Sequence, residues 1–364
     1  MTWISLVWRN LLRRPARTAL TAAGVALGVG LIVALLSLAT GVKKAADELI
    51  HVGRADFGLF QADVTDFSRS LLPKSLAARV VDVPGVASVA RLKLLASREY
   101  EQSFFVFGLV PDEFIWRRLV LLWGRHPRGE EALVGDRFEP RIGDGVEIAP
   151  RQIFPVVGGY HGGNAFVDSG VVLPLRTVER LAHRPGEITT VAVTVDPGLR
   201  ARTVAERVER RFPGTVAVYE PAQAIRVDTS SRLIVDTGWI ISLLALIVGG
   251  IGVTNTMAMA VVERVREIGI LRAVGWRGWR IAVLIISEAI AISLLSLAVG
   301  LGLGVLAADQ FSEHTSTSGL VRPDFTAGVF AWGLAFALGV ALIGAAYPTW
   351  RAVRLTPIEA LRRE

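Results

Sequence analysis

Four long stretches of this chain are apolar, and regions of mixed polarity separate them. Three of the four contain no charged residue, and the third along the chain contains only Glu288. Because about 20 apolar residues cross a bilayer as a helix, each stretch is long enough to be a membrane span. The predicted spans are residues 18–42, 237–262, 281–308 and 325–347.

The region between the first two spans, residues 43–232, has a different pattern. Short runs rich in β-branched and aromatic residues alternate with runs of helical periodicity, and proline and glycine separate them. This pattern predicts an α+β domain with an irregular β-rich insertion near 118–174 and a helical stalk at each end. Strands are predicted at 55–61, 86–96, 103–110, 131–135, 145–149, 152–158, 165–173, 188–195 and 215–219, and helices at 72–81, 175–182 and 199–212.

The predicted fold class is therefore a membrane protein with four transmembrane α-helices and an α+β extracytoplasmic domain inserted between spans 1 and 2. Residues 1–17 place apolar and basic side chains on different faces of a helix, as in amphipathic helices of the membrane interface. A cleaved signal peptide is the alternative for this end, but the apolar run exceeds the roughly 7–15 residues usual for one. We also expect an external loop at 309–324 and a tail at 348–364, in which Thr356 and Pro357 begin a last helix.

The distribution of arginine predicts the orientation. The net charge of +7 would suit a nucleic-acid partner, but the basic residues cluster at the ends of the spans, and 52% of all residues are hydrophobic. By the positive-inside rule, both termini and residues 263–280 are cytoplasmic in a multi-pass protein of the cytoplasmic (inner) membrane, with lipid and not nucleic acid around it. The arginines of that side are Arg9, Arg13, Arg14, Arg17, Arg264, Arg266, Arg272, Arg277, Arg280, Arg351, Arg354, Arg362 and Arg363, whereas the loop between spans 3 and 4 has only Arg322.

Residues 263–275, which we call the charged segment, read Glu-Arg-Val-Arg-Glu-Ile-Gly-Ile-Leu-Arg-Ala-Val-Gly and lie between the second and third spans. As a helix the segment would have Glu263 and Glu267 towards its N-terminus and Arg272 near its C-terminus, an arrangement that suits the helix dipole. Gly275 follows where a C-cap is expected. A short helix held by spans on both sides presents a fixed surface to a soluble partner. The pattern alone leaves open an ordinary charged loop that only keeps the spans in their orientation.

The charged segment closely resembles the cytoplasmic coupling segment of ABC-transporter permeases of the FtsX/MacB type. In that family the run E-R-x-R-E-I-G-I-L-R-A-x-G follows the second span, and residues 263, 264, 266–273 and 275 match every specified position. Residues 357–362, Pro-Ile-Glu-Ala-Leu-Arg, resemble the C-terminal phrase of the same family. Residues 108–112 and 124–130 resemble, more loosely, phrases of its periplasmic core domain.

The resemblance implies a permease subunit of an ATP-driven ABC transporter of the MacB/Lol/FtsX type. It implies two permease subunits, identical or paralogous, each with a separate cytoplasmic ABC ATPase that binds the ATP, so that this chain needs no cofactor of its own. It further implies mechanotransmission: ATP hydrolysis would move the extracytoplasmic domain to export or extract a hydrophobic compound, a peptide or a lipoprotein, and an extracytoplasmic partner protein would fit the same scheme. The alternatives are a regulator of a cell-wall hydrolase, whose outer domain is usually smaller, and a membrane-tethered sensor or binding module without an ATPase.

The charged segment supplies the candidate coupling residues. Ile268, Leu271 and Val274 are predicted to enter a groove of the ATPase, because a few apolar anchors dominate a small interface. Polar contacts at the rim of that interface are predicted for Glu263, Arg264, Glu267 and Arg272.

Three further residues in the spans, Glu288, Gly24 and Gly28, are predicted to make contacts between helices. Glu288 is an acidic residue in a membrane span, where an ionised side chain costs about 2.5–3.5 kcal/mol near the centre. We predict that it pairs with a basic residue at the cytoplasmic end of a neighbouring helix, and proton relay is the alternative. Gly24 and Gly28 form a small-xxx-small pair that is predicted to permit close helix packing.

The sequence shows no catalytic constellation. It contains neither G-x-x-x-x-G-K-[ST] nor H-E-x-x-H, and the absence of cysteine excludes disulfides and Cys-ligated metals. A metal site among His126, His161 and His183 is conceivable, but scattered histidines do not predict one. We therefore predict no catalytic, cofactor-binding or metal-binding residue and expect ATP hydrolysis in a partner subunit.

Overall fold

The computed structural model describes residues 15–64, 69–99, 102–138, 145–220, 223, 229–314 and 322–355. The predicted helix at 1–17, except for its last three residues, and the tail helix that begins at Thr356 lie outside the described residues, as do much of the second stalk and of the external loop. The chain divides into two compact units. We call Met1–Leu38, Val235–Gln310 and Phe325–Glu364 the membrane unit, and Ala39–Ile234 with Phe311–Asp324 the inserted domain.

The described helices and strands are numbered separately along the chain. The α-helices are α1 (Pro15–Ile50), α2 (Leu76–Val80), α3 (Phe114–Arg118), α4 (Ala165–Asp168), α5 (Leu175–Leu181), α6 (Ala201–Arg211), α7 (Thr229–Glu263), α8 (Val265–Ala273), α9 (Gly278–His314) and α10 (Ala327–Arg354). The strands are β1 (Phe57–Gln61), β2 (Leu72–Pro73), β3 (Val86–Glu99), β4 (Gln102–Leu109), β5 (Val120–Gly124), β6 (Ala132–Gly135), β7 (Gly145–Ala149), β8 (Gln152–His161), β9 (Val171–Pro174), β10 (Glu187–Ile188), β11 (Thr190–Val195) and β12 (Thr215–Val218).

Four helices, α1, α7, α9 and α10, are long and apolar enough to cross a membrane, which confirms the four predicted spans. They are longer than the apolar runs, because a helix can continue into charged residues beyond the length that the hydrocarbon region requires. The first helix extends to Ile50, as predicted for the first stalk, and the last continues past Pro348 to Arg354. The apolar run therefore identifies each span but not the ends of its helix.

Close helix packing in the membrane unit depends on Gly30, Gly300 and Gly304. A Cβ atom on Gly304 would lie 2.7 Å from the carbonyl oxygen of Gly30, and one on Gly300 would lie 2.7 Å from the carbonyl oxygen of Ala26. Helices α1 and α9 therefore approach backbone to backbone, as small residues permit. The sequence prediction named a different pair. Among the described residues nothing lies within 4 Å of the Cβ position of Gly24, so the described helices make no packing contact at Gly24.

Gly28, the other member of the predicted pair, does face other helices. Its Cβ position lies 3.5 Å from Ala245 Cβ and 3.5 Å from Phe336 Cε1, which are ordinary van der Waals distances. Spacing alone could not identify the contacting glycines, because all of these helices are rich in small residues and only packing decides which of them meet.

The inserted domain is built on a ten-stranded sheet of order β12-β1-β11-β3-β4-β9-β6-β8-β5, with β7 also paired to β8. Strands β3 and β4 form the predicted hairpin, and most pairs are antiparallel. The exceptions are β4 with β9 and β6 with β8, which run parallel. The mixed sheet and its helices confirm the predicted α+β class.

Alternating side chains of the sheet build separate cores. In β1, Phe57 and Leu59 join a core with the apolar faces of α2 and α6, whereas Phe60 points to a core that contains Leu49 and Ile50 of α1. This alternation follows from the period of two along a strand. Both faces of this part of the sheet are therefore covered.

Two local predictions in this domain were wrong. Residues 72–81 were predicted as one helix, but the short strand β2 comes first and α2 follows. Residues 165–173 were predicted as a strand, yet Ala165–Asp168 is a helical turn, because the side chain of Asn164 accepts a hydrogen bond from Val167 N at 2.9 Å and caps it. The prediction also missed α3 and β5.

Candidate functional site

The charged segment folds as the separate helix α8. The preceding span ends at Glu263, and Arg264 leaves helical geometry with φ −112° and ψ 15°. At the other end Gly275 has φ +96°, its N–H donates to the Arg272 carbonyl at 3.1 Å, and Trp276 N–H donates to the Leu271 carbonyl at 2.9 Å. These two bonds form a Schellman motif, which needs a residue with positive φ at the position of Gly275. The predicted C-cap is thus confirmed.

The two sides of α8 have different surroundings. Val265, Ile268 and Gly269 are buried, and Ile268 is 6% exposed within the core of the membrane unit. Ile270 and Val274 are 49% and 77% exposed. Of the other predicted coupling residues, Glu263 and Glu267 are exposed, and Leu271 and Arg272 are half-buried.

An exposed stripe therefore runs along α8. Its members, Glu267, Ile270 and Val274, are three or four residues apart, so they share one face of the helix, whereas the exposed Glu263 ends α7 before the break at Arg264. Sequence reasoning missed Ile270, since both sides of α8 carry apolar residues and periodicity does not say which side is covered. The predicted anchor Ile268 lies on the covered side.

Glu288 of α9 binds Arg264 at the break before α8. Arg264 Nη1 donates to Glu288 Oε1 at 2.8 Å, and the two side chains are 18% and 7% exposed. The ion pair predicted for Glu288 is confirmed. The contact also draws Arg264 into the membrane unit, away from the rim position that the sequence had suggested. The start of α8 is thereby attached to a neighbouring span.

Exposed tryptophans mark the ends of the apolar region. Trp332 and Trp350 lie 18 residues apart in α10, which is about 27 Å along a helix and close to the thickness of a bilayer core. Trp239 stacks edge-on against Trp332 at 6.0 Å, so both lie at one end. At the other end a Cβ on Gly278 would lie 2.9 Å from Val353 Cγ1. The C-terminal end of the charged segment is therefore near the Trp350 end of α10, opposite the end that carries Trp332.

Residues 322–324, which belong to the predicted external loop, contact the C-terminal turns of α1. Thr40 Oγ1 donates to the Asp324 carbonyl at 2.8 Å, and Lys44 Nζ lies 3.3 Å from Asp324 Oδ1. A Cβ on Gly41 would overlap the Arg322 carbonyl oxygen, at 2.1 Å, so only glycine allows this approach. The loop that precedes α10 is thus fixed to α1 by both its backbone and its side chains.

The last turns of α1 are fixed to helix α4. Glu48 Oε2 accepts a hydrogen bond from Phe166 N at 2.6 Å, and Asn164 Nδ2 donates to the Glu48 carbonyl at 3.0 Å. A carboxylate that accepts from the first turn of a helix makes a charge-assisted bond. Sequence reasoning missed this contact, because residues 48 and 166 meet only in the folded domain.

The three histidines considered for a metal site do not converge. His126 stacks on Trp116 at 5.6 Å, and His183 follows α5 with φ +51°. In the described residues His161 instead meets Asp136 and Asp168. Burial raises the pKa of Asp168, and the charge of Asp136 acts in the same direction, whereas the Gly162 N–H and His161 lower it.

Two family models match the chain. The MacB-like periplasmic core domain matches residues 18–211, more than half of the 364 residues, and the FtsX-like permease C-terminal region matches residues 239–357. The second match includes the charged segment, Glu288 and α10.

Similar proteins are found over the whole chain. An ABC transporter permease of Methanocaldococcus jannaschii is 25% identical over 394 residues, which cover 99% of this chain and 98% of that protein. The macrolide export ATP-binding/permease protein MacB of Burkholderia lata is 27% identical over 416 residues, which cover 100% of this chain and 57% of that protein. The chain thus spans little more than half the length of the MacB relative. The crystal structure of the periplasmic region of MacB from Actinobacillus actinomycetemcomitans aligns with a TM-score of 0.35 at 14% identity, over 47% of this chain and 90% of that one.

Proposed function

This chain belongs to the ABC-transporter permease family that joins a MacB-like periplasmic core domain to an FtsX-like C-terminal region, and from this we propose that it couples ATP hydrolysis by a separate cytoplasmic ATPase to movement of the inserted domain. The 364 residues contain no P-loop, so the proposal assigns the binding of ATP to an ATPase outside these residues. The charged segment would lie on the cytoplasmic side and receive that ATPase.

The observation that carries this proposal is the way α8 is held. Its N-terminal end is attached to α9 through the pair of Arg264 with Glu288, and its C-terminal end closes in a Schellman motif directly before α9 begins. A partner that pushes or pulls on α8 therefore acts on α9 at both ends of α8. A flexible charged loop would transmit no such force.

The contact surface for the ATPase would be the exposed stripe of α8. Ile270 and Val274 are its apolar anchors and Glu267 borders them, with Glu263 at the end of α7. Leu271 is half-buried beside the stripe and keeps the anchor role predicted from the sequence, whereas Ile268 supports α8 from behind. A helix of this size forms a small interface, so loss of one anchor should have a large effect.

Motion would reach the inserted domain through the outer part of α1. Helix α1 has residues in both units, and its last turns are fixed by Glu48 to α4 of the inserted domain. A change in the position of α1 would therefore be passed to the sheet as mechanotransmission. A hydrophobic compound, a peptide or a lipoprotein would be the substrate of such work, and a second permease subunit, identical or paralogous, would complete the transporter.

Regulation of a cell-wall hydrolase is the second candidate function. The size of the inserted domain favours an exporter or an extractor, since division-type regulators of this family usually have a smaller outer domain. Both candidates require the same ATPase contact.

Stimulation of ATP hydrolysis tests the proposal. The probe is the P-loop ATPase that co-purifies with the chain, measured alone and with the chain in lipid nanodiscs. We expect the wild-type chain to stimulate turnover and Ile270→Asp and Val274→Asp to abolish the stimulation, because a buried carboxylate in the interface carries a desolvation cost.

A matched control is Leu199→Asp, which places the same charge on an exposed leucine of the inserted domain, 48% exposed, and should stimulate like wild type. Equal stimulation by the two α8 variants and wild type would refute the assigned contact surface. If no ATPase co-purifies with the chain, and the chain stimulates none of the ABC ATPases tested, the result would favour the membrane-tethered sensor.

A further inference from the structure

Three side chains of different elements converge at one edge of the sheet in the inserted domain. His161 Nδ1 lies 3.0 Å from Asp136 Oδ2 and 3.0 Å from Asp168 Oδ2. One ligand atom from each residue lies within 4.8 Å of the other two. The cluster has no part in the proposed contact with the ATPase.

The topology of the sheet places these residues together. Strands β6 and β8 are parallel with Gly135 opposite Tyr160, so Asp136 and His161 follow at the same end of both strands. Strand β9 runs antiparallel to β6 and brings Asp168 to the same end.

Backbone hydrogen bonds make the three positions rigid. Asp136 N donates to the Tyr160 carbonyl at 3.0 Å, and Arg137 N donates to the Asp168 carbonyl at 3.0 Å. The Asp168 side chain is oriented as well, because its Oδ1 accepts from Gly162 N at 2.5 Å and its Oδ2 faces His161. Sites for metal ions need ligands that are fixed in this way before the ion arrives.

The geometry suits one cation in the middle of the cluster. A single proton on Nδ1 cannot form a full hydrogen bond to two carboxylates at once, and the two carboxylates repel each other. Ligands about 2.1 Å from one tetrahedral metal ion lie about 3.4 Å apart. The two distances from His161 are 3.0 Å, and one ligand atom of each residue lies within 4.8 Å of the other two, so small side-chain movements would bring all three to one ion. We propose that Asp136, His161 and Asp168 bind a first-row divalent metal ion of the Zn²⁺ type.

The donor set decides between metals. One imidazole nitrogen with two carboxylate oxygens favours Zn²⁺ over Ca²⁺ and Mg²⁺, which prefer oxygen ligands alone. Asp168 is almost fully buried, whereas Asp136 and His161 are on the surface, so water can complete the coordination shell. The neighbouring Arg137 opposes a cation, but its single charge faces two carboxylates.

The metal ion would stabilise the part of the domain that holds α1. Asp168 ends α4, and the start of the same helix binds Glu48 through Asn164 and Phe166. An ion that links the ends of β6 and β8 to α4 therefore fixes the support of α1. This role is structural and leaves the choice of transported substrate open.

Calorimetry on the full chain tests the site. The chain is purified in detergent with a tag that contains no histidine, stripped with a chelator, and titrated with ZnCl₂ at neutral pH. We expect one Zn²⁺ per chain, binding at least about tenfold weaker in His161→Gln and in Asp136→Asn, and Ca²⁺ and Mg²⁺ binding weaker than Zn²⁺. Both substituted side chains are on the surface, so the variants should fold. Circular dichroism is used to check that they do.

His51→Gln is the matched control. His51 also faces a carboxylate, with Nδ1 3.1 Å from Asp47 Oδ1, but no second carboxylate completes that pair in the described residues. Its Zn²⁺ affinity should equal that of wild type. The proposal is overturned if wild type binds no Zn²⁺ at about 100 µM, or if all variants bind it equally, which would indicate adventitious binding elsewhere.

Discussion

The ion pair between Arg264 and Glu288 allows a quantitative test of how α8 is attached to α9. We consider Glu288→Gln, Arg264→Gln and the double variant. Glutamine keeps the approximate length of both side chains and their ability to form hydrogen bonds, so the change is mainly one of charge. The three variants and wild type form a double-mutant cycle.

The expected magnitude follows from burial. The atoms are 2.8 Å apart, and the side chains are only 18% and 7% exposed. Removing one partner of a buried pair costs about 3–5 kcal/mol, because the other charge stays buried without compensation. We expect about 3 kcal/mol for each single variant. The double variant leaves no buried charge, so the coupling energy should be about 2 kcal/mol or more.

Reversible unfolding of the full chain in mixed micelles gives these free energies, and stimulation of the ATPase is measured in parallel. Glu288→Gln should weaken stimulation without introducing a new pH dependence. A coupling energy below about 0.5 kcal/mol would refute the pair as an attachment of α8. Stimulation that depends on pH in wild type and loses that dependence in Glu288→Gln would instead support a proton relay.

Three further predictions concern other parts of the molecule. Gly304→Ala places a Cβ 2.7 Å from a backbone carbonyl of α1 and should destabilise the chain by about 1–3 kcal/mol in the same unfolding assay. Gly24→Ala should be neutral or slightly stabilising, because nothing among the described residues lies within 4 Å of its Cβ position. Glu48→Ala removes the acceptor of a backbone N–H at the start of α4 and should cost about 1–3 kcal/mol; unchanged stability would show that α4 does not depend on it. Hydrogen bonds from Arg125 lower the pKa of Glu131 to about 2, so its stabilising effect is present above pH 4.5 and is lost as the pH falls towards 2. The difference in melting temperature between wild type and Glu131→Gln should therefore shrink over that range, and a difference that stays constant would contradict the lowered pKa.

Much of the fold could be predicted from the sequence, because length and polarity determine it. The four spans followed from long apolar runs, and the end of α8 followed from Gly275, whose positive φ suits no residue better than glycine. The sequence also predicted that Glu288 pairs with a basic side chain, since an ionised carboxylate inside a span needs a positive charge nearby. Which cation it is depends on helix packing, and only the structure shows that Arg264 reaches it.

The parts that could not be predicted depend on register and on neighbours. Ile268 and Ile270 are equally apolar in the sequence, and only the surrounding helices decide that Ile268 is covered and Ile270 exposed. Likewise, Asp136 and His161 meet because two parallel strands end together, which strand order and register determine. The capped turn at Asn164 was predictable in principle, because asparagine is a favoured N-cap residue.

Site-specific cross-linking tests the central claim, that the exposed stripe of α8 receives the ATPase. A photoreactive side chain is placed at Ile270 in one variant and at Ile268 in another, and each is irradiated with the co-purifying ATPase in the absence of nucleotide. We predict a cross-linked product of chain and ATPase from position 270, which is 49% exposed, and none from position 268, which is 6% exposed. A product from position 268 alone, or from neither position while the two proteins remain bound, would contradict the claim.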